Sequence, residues 1–272
     1  MTKEQQLADW LIERRRVAIG YSGGVDSAYL AAVAVASLGR DNVLGIIGRS
    51  ASYPESQWAS ARRTGEQIGL SMIELETGEL DDPRYAANPT NRCYFCKTEL
   101  WARLVPAARG RGFAYVADGT NADDLRDWRP GAQAAREHGI ASPLAELGFS
   151  KDEIRAGSRA RGLATAEQPS SPCLSSRIPY GTPVTVDRLR RVERAEAAVR
   201  ALGVTGDLRV RHFGDRARVE LGAAELAEWS RPERAARLAA AVRAAGYAEA
   251  EIDPRGFRSG AMNRLAGLPI LT

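Results

Sequence analysis

The segment that most restricts the fold runs from Val17 to Ser37. Val17-Ala18-Ile19-Gly20-Tyr21 reads as a short buried strand and Ala28 to Ser37 as an apolar helix, with only Ser22-Gly23-Gly24-Val25-Asp26-Ser27 between them. A strand that passes so quickly into a helix is the opening of a βα unit. The alternation continues: Val43 to Ile47 reads as a second strand and Pro54 to Ile68 as a helix opening on proline. Ser71 to Leu75 is a third strand, Cys96 to Arg109 a third helix and Phe113 to Ala117 a fourth strand. Ser150-Lys151-Asp152-Glu153 is a capping box that starts one more helix. Strands alternating with helices of this length predict an α/β fold with a parallel sheet and crossover helices.

Two proline-rich stretches, Gln168 to Pro172 and Pro179 to Pro183, mark a loop and a domain boundary. Beyond them lie a helix over Val186 to Leu202, a hairpin, a helix over Pro232 to Ala245 and a strand near Tyr247 to Ile252. The expected organisation is a parallel-sheet domain over residues 1–180 and a small α+β domain over 181–272. No internal repeat or low-complexity tract is present.

Composition excludes several classes. Of the 272 residues 44% are hydrophobic and 26% charged, the balance of a globular chain rather than a disordered or fibrous one. No apolar run reaches the length of a membrane span, and Met1 to Gln6 has no secretory h-region, so the expected compartment is the cytoplasm with no membrane partner. Basic residues number 38 and acidic 34, a surplus of four that is too small to indicate nucleic acid. Only Lys3, Lys97 and Lys151 are lysines; the arginine bias reads first as genome composition.

The loop at Ser22–Ser27 carries the clearest chemistry. Gly23 and Gly24 let the backbone curl so that successive N–H groups and the helix N-terminus face one anion, while the serines add hydroxyl donors. Asp26 is placed to hold a Mg2+ that bridges phosphates. No Gly-Lys-Ser/Thr follows, so this is not a Walker A loop. The plainer alternative is a turn that merely lets strand and helix pack. The hexapeptide resembles the signature of the PP-loop ATP pyrophosphatases, which transfer AMP to an oxygen that a nucleophile then displaces. Asp118-Gly119-Thr120-Asn121-Ala122-Asp123-Asp124 follows the fourth strand and fits the same reading, with an Asx-type cap as its alternative. Both loops lie at the carboxyl ends of strands, where open α/β sheets bind ligands.

Cys93-Tyr94-Phe95-Cys96 and Cys173 are the three cysteines. Closed zinc sites need four Cys or His ligands, and neither His138 nor His212 is spaced as a partner. His212 reads as a core or edge residue on its strand. Three thiolates suit three irons of a 4Fe–4S cluster whose fourth iron stays open; three unrelated buried thiols are the alternative. In the second domain, Gly214-Asp215 reads as a two-residue turn between Leu208–Phe213 and Arg216–Leu221. That register sets Arg209 opposite Glu220 and Arg211 opposite Arg218, with Leu208, Val210, Ala217 and Val219 on the other face. Facing arginines repel, so a phosphate between them would explain the pattern; a solvated face is the alternative. Glu196 lies on the apolar stripe of Leu189, Val192, Val199 and Leu202, where a carboxylate needs a partner.

Asn91 to Lys97, Asp118 to Asp124, Arg129-Pro130-Gly131 and Pro172 to Gly181 together resemble the LarE family of PP-loop sulfur transferases, and the likeness covers nearly the whole chain. The resemblance implies an enzyme that uses ATP and Mg2+ to adenylate a carboxylate of pyridinium-3,5-biscarboxylic acid mononucleotide. Sulfur then enters as a thiocarboxylate, on the way to the nickel-pincer nucleotide of lactate racemase. Ser22, Gly23, Gly24, Val25, Asp26, Ser27, Asp118, Gly119, Thr120, Asn121 and Arg129 are the implied nucleotide site. Arg177, Glu196, Arg209, Arg211, Glu220 and Arg258 are the implied substrate site, although Ala261 stands where the family tail after Arg258 would have serine. Asp26 and Cys173 are the implied catalytic residues. Some members carry one cysteine and sacrifice its sulfur, leaving dehydroalanine; others carry three and relay sulfide from a 4Fe–4S cluster. The pattern here places Cys93, Cys96 and Cys173 as cluster ligands. Implied partners are the small pyridinium mononucleotide, sulfide or a sulfur donor, and further copies of the chain in a homo-oligomer. Rival readings are a tRNA thiolase, a relative acting on another carboxylate, and a nucleotide-binding regulator without turnover.

Overall fold

The computed structural model describes residues 1–126, 130–169 and 171–268, with Arg126 described in its main chain only. The chain divides into two compact units. Met1–Asp82 and Asn91–Ser171 form the first; Pro83–Thr90 joins the chain from Pro172 onward in the second.

In the first unit, β1 (Val17–Gly20), β2 (Val43–Arg49), β3 (Ser71–Glu76) and β4 (Tyr115–Ala117) are parallel, in the order β3-β2-β1-β4. The chain builds outward from β1 to β3 and then returns to lay β4 on the other side of β1. That reversal is a topological switch point, and the loops after β1 and β4 flank it. Helix Val25–Leu38 is buried along most of its length, and its Leu30 and Val33 pack with Val17 and Ile19. Leu7 and Leu11 of helix Lys3–Arg14 close the same core. This N-terminal helix is capped by Thr2 and Gln5 in a reciprocal box, a signal the strand–helix alternation did not bring out.

The expected elements are present, and three of the boundaries that move do so for identifiable reasons. Pro54 is the N-cap of helix Glu55–Ile68 rather than its first residue. The strand expected from Phe113 starts only at Tyr115, because the Phe113 N–H donates to the Ala108 carbonyl (3.0 Å) and closes the preceding helix. The helix expected from Cys96 begins four residues earlier, at Arg92, and lifts both Cys93 and Cys96 onto its first turn. Its buried stripe is Trp101, Leu104, Val105 and Ala108. The first turn is instead steadied by helix Pro130–Glu137, where Glu137 accepts from the Tyr94 hydroxyl at 2.7 Å. Periodicity cannot signal such a contact.

In the second unit, β5 (Leu208–Phe213) and β6 (Arg216–Leu221) form the expected hairpin, and β7 (Glu249–Ile252) adds in parallel to β6. The register sets Arg209 against Glu220 and Arg211 against Arg218, as the two-residue turn dictates. Helices Val186–Ala201 and Pro232–Ala244 bring Ala195, Val199, Leu238 and Val242 to the apolar face of Val210 and Val219. Pro83–Thr90 is tied to the loop before these elements. Buried Asn88, at φ +58°, donates from Nδ2 to the carbonyls of Pro179 and Thr182, both at 2.8 Å. No helix among the described residues is long and apolar enough to cross a membrane.

Candidate functional site

The Ser22–Ser27 loop is built so that its turn carries almost no side chain. Gly23 has φ +65°, and a Cβ there would lie 2.3 Å from the Ala61 Cβ of helix Glu55–Ile68. Glycine is required on both counts. Gly24 caps helix Val25–Leu38 with no side chain accepting from the first N–H groups, which leaves the helix N-terminus open to an anion. Two donors brace the turn from behind: the Tyr53 hydroxyl (2.9 Å) and Gln57 Nε2 (3.0 Å) both donate to the Ser22 carbonyl. Ser22 and Ser27 hydroxyls are 3.2 Å apart, and Ser27 Oγ donates to the Gly24 carbonyl.

The loop after β4 packs directly on this turn. A Cβ on Gly119 would come within 2.8 Å of the Ser27 nitrogen and 3.1 Å of the Asp26 carbonyl carbon, so backbone meets backbone. Asp118 is buried and organises its own loop, accepting from the Thr120 N–H (3.0 Å), the Thr120 hydroxyl (2.8 Å) and the Ser142 hydroxyl (2.8 Å). Asn121 Oδ1 accepts from the N–H groups of Asp123 and Asp124, and its Nδ2 donates to Asp26 at 3.2 Å. The Asx-type turn is therefore real, and it also delivers Asn121 to Asp26 of the Ser22–Ser27 loop. Val25 is buried as the first helical residue. Arg129 lies outside the described residues.

Two side chains in this unit escaped the sequence reading. Lys151 Nζ lies 2.5 Å from Asp26 Oδ2, and its N–H donates to Asp123 at 2.8 Å. Its rarity among 35 arginines was the available signal. Glu79, 2% exposed, accepts from the hydroxyls of Ser50, Ser52 and Thr77 and thereby holds the loop that presents Tyr53. It sits in an acidic stretch, Glu79-Leu80-Asp81-Asp82, that offers no sequence cue.

In the second unit the arginine face of the hairpin is not solvated: Arg209, Arg211 and Glu220 are 4%, 5% and 1% exposed. Arg211 Nη2 and Glu220 Oε2 pair at 2.6 Å. Among the described residues, Arg211 Nε, Glu220 Oε1 and Arg258 Nε are buried with no hydrogen-bond partner. Burial, with the Arg177 charge nearby, pushes the Arg209 guanidinium down to about 10. Arg209 also stacks on the Phe257 ring at 4.9 Å. Glu196 has the partner its place on the stripe required, a two-pronged pair with Arg177 at 2.9 and 3.0 Å. Arg177 and Glu196, the expected substrate residues, face each other and the main chain, with Arg177 directing Nε, Nη1 and Nη2 at protein acceptors.

None of the three cysteines is in a disulfide; Cys93 is exposed, and Cys96 and Cys173 are half-buried. Cys93 and Cys96 sit three apart on one helix, which puts them on neighbouring positions of its surface. Cys173 flanks a short 3₁₀ turn, Leu174–Arg177. Among the described residues no group of three or more His, Cys, Asp or Glu side chains is assembled as a metal site.

A parallel sheet that opens onto a Ser-Gly-Gly-Val-Asp-Ser turn, with a second acidic loop packed on it at the switch point, defines a PP-loop nucleotide-binding domain of the ATP pyrophosphatase class. The NAD synthase family model matches residues 8–104. An uncharacterized protein of Synechocystis sp. is 42% identical over 97% of this chain and 98% of its own length. The pyridinium-3,5-bisthiocarboxylic acid mononucleotide synthase of Lactiplantibacillus plantarum is 33% identical over 96% of this chain and 94% of its own. A tRNA-specific 2-thiouridylase of Streptomyces avermitilis is 30% identical over 58% of this chain and 52% of its own. The chain belongs to the LarE family of ATP-dependent sulfur transferases.

Proposed function

We propose that this chain thiolates a carboxylate of pyridinium-3,5-biscarboxylic acid mononucleotide at the expense of ATP, toward the nickel-pincer nucleotide of lactate racemase. The observation that carries the reading is the 33% identity over nearly the full length of both chains to a synthase of the bisthiocarboxylic product. The open N-terminus of helix Val25–Leu38, with Ser22, Gly23, Gly24 and Ser27, takes the ATP phosphates. Asp118, Gly119, Thr120 and Asn121 shape the adjoining wall. Asp26 fits Mg2+ as a hard carboxylate ligand once Lys151 releases it, and Lys151 then faces the phosphates. Bound Mg2+ would neutralise charge on the leaving pyrophosphate.

The substrate carboxylate oxygen attacks the α-phosphorus, the bond to pyrophosphate breaks, and an acyl-adenylate results. Sulfide then attacks the acyl carbon and AMP leaves with the former carboxylate oxygen. Arg209, Arg211, Glu220 and Arg258 are assigned to the mononucleotide, since Arg211, Glu220 and Arg258 each keep a buried polar atom without a partner among the described residues. Cys93, Cys96 and Cys173 provide thiolates of the kind that bind iron, so they would hold a 4Fe–4S cluster supplying an iron that carries sulfide. The cytoplasm, where thiols stay reduced, is the setting this requires, and assembly into a homo-oligomer follows the family.

The test is iron and acid-labile sulfide content of chain purified without oxygen, beside Cys93→Ala. About four irons per chain, lost in the variant, are expected. No iron after reconstitution, with dehydroalanine at position 173 after turnover, would replace the cluster by sacrificial sulfur.

A further inference from the structure

The turn that carries Cys173 is gripped by two arginines. Arg177 is 2% exposed. Its Nη1 donates to the carbonyls of Pro172 (2.6 Å) and Cys173 (3.1 Å) and to Ser176 Oγ (3.1 Å). Nε and Nη2 fork onto the two oxygens of Glu196, and Glu196 Oε1 also accepts from the Val210 N–H of β5 at 3.0 Å. Arg211 Nη1 donates to the Ser176 carbonyl at 3.0 Å. From a different segment, the Tyr85 and Ser175 hydroxyls meet at 2.6 Å.

A guanidinium carries five N–H donors in a fixed plane. With Nε and one Nη2 N–H on a carboxylate and both Nη1 N–H groups shared among two carbonyls and a hydroxyl, four of the five donors of Arg177 are directed at protein acceptors. What it joins is also telling. The pair links a helix and a strand to the main chain at Cys173, whose carbonyl, among the described residues, otherwise accepts only the Ser176 N–H of a single 3₁₀ turn (3.0 Å). A short turn alone would let the thiol wander.

We propose that Arg177, braced by Glu196, is a positioning residue for sulfur transfer: it fixes the main chain at Pro172–Cys173 so that the Cys173 sulfur occupies one place, and it does not contact substrate. The inference rests on reading Cys173 as part of the sulfur site. A displacement of about 1 Å at a reacting group costs on the order of a hundredfold in rate, so the effect falls on the chemical step.

Arg177→Lys keeps the charge but loses the planar fork; Glu196→Gln keeps the shape and weakens the brace. Each is made in a Cys93→Ser, Cys96→Ser background, where Cys173 is the only thiol, and the rate of Cys173 alkylation by iodoacetamide is followed against pH. The same substitutions in the otherwise native chain are assayed for kcat and KM of thiocarboxylate formation, with ATP affinity measured alongside. The expected result is a change of about tenfold or more in the alkylation rate for Arg177→Lys and a smaller one for Glu196→Gln. With these go a fall in kcat at constant KM and unchanged ATP affinity. An unaltered alkylation profile in a variant that still binds ATP overturns the proposal. A rise in KM at constant kcat overturns it too and returns Arg177 to the substrate. Full turnover by Cys173→Ala would instead remove the reading of Cys173, while the alkylation measurement still decides whether Arg177 holds the turn.

Discussion

Gly119 decides whether the Ser22–Ser27 loop and the loop after β4 can meet. A methyl group there would sit 2.8 Å from the Ser27 nitrogen and 3.1 Å from Asp26 main chain, where only backbone can yield. Gly119→Ala should therefore push the loop after β4 away from the helix N-terminus. Overpacking of this kind costs about 1–3 kcal/mol, and ATP affinity measured by calorimetry should fall about tenfold, since 1.4 kcal/mol is one decade. Unchanged affinity would mean that the wall formed by Asp118–Asn121 plays no part in nucleotide binding. The hexapeptide announced Gly23 through its local turn chemistry. The tight contact of Gly119 was not readable, because the atoms it must avoid come from residues about 90 positions away. Lys151 and Glu79 were hidden for the same reason: each acts through a partner brought by the fold.

The hairpin of β5 and β6 shows how far an element can be read alone. A two-residue turn and strict alternation set its register, so Arg209, Arg211, Arg218 and Glu220 had to share a face. Whether that face met water was not encoded in the hairpin, since its cover comes from elsewhere in the chain. Its opposite face holds His212, 1% exposed, with Nδ1 against the Tyr247 hydroxyl at 3.1 Å. Burial, with the charges of Arg188 and Arg191 nearby and Asp215 opposing them, pushes its imidazole down to about 4. The unfolded chain, with an imidazole near 6.5, then binds more protons between these values, so stability rises with pH across that window. The loss is absent above about pH 6.5, grows through the window and levels off below about 4. His212→Gln should flatten the pH dependence of the thermal midpoint there; an unchanged slope would place the acid sensitivity in other groups.

At the scale of the molecule, the sequence divides its chemistry between two units. The one around the parallel sheet carries the PP-loop, Asp26 and the Cys93–Cys96 pair; the other carries Cys173 and the buried arginines. Such a division suits a reaction with two demands. A carboxylate must be activated by AMP transfer because its oxygen is a poor leaving group, and the activated carbon must then meet sulfur rather than water. The βα alternation and the two loops at strand ends made the first unit legible, and the resemblance of the cysteine segments made the chemistry legible. What bound the cysteine turn in place emerged only from the packing of Arg177 and Glu196.

The most direct test of the whole account is mass spectrometry of pyridinium-3,5-biscarboxylic acid mononucleotide after incubation with the chain, Mg2+, ATP and sulfide, with AMP and pyrophosphate quantified together. The account predicts replacement of carboxylate oxygen by sulfur, with one AMP and one pyrophosphate formed for each sulfur inserted, and none of the three in the absence of ATP. A mononucleotide recovered unchanged by chain that binds ATP, with sulfur appearing instead in tRNA, would contradict it.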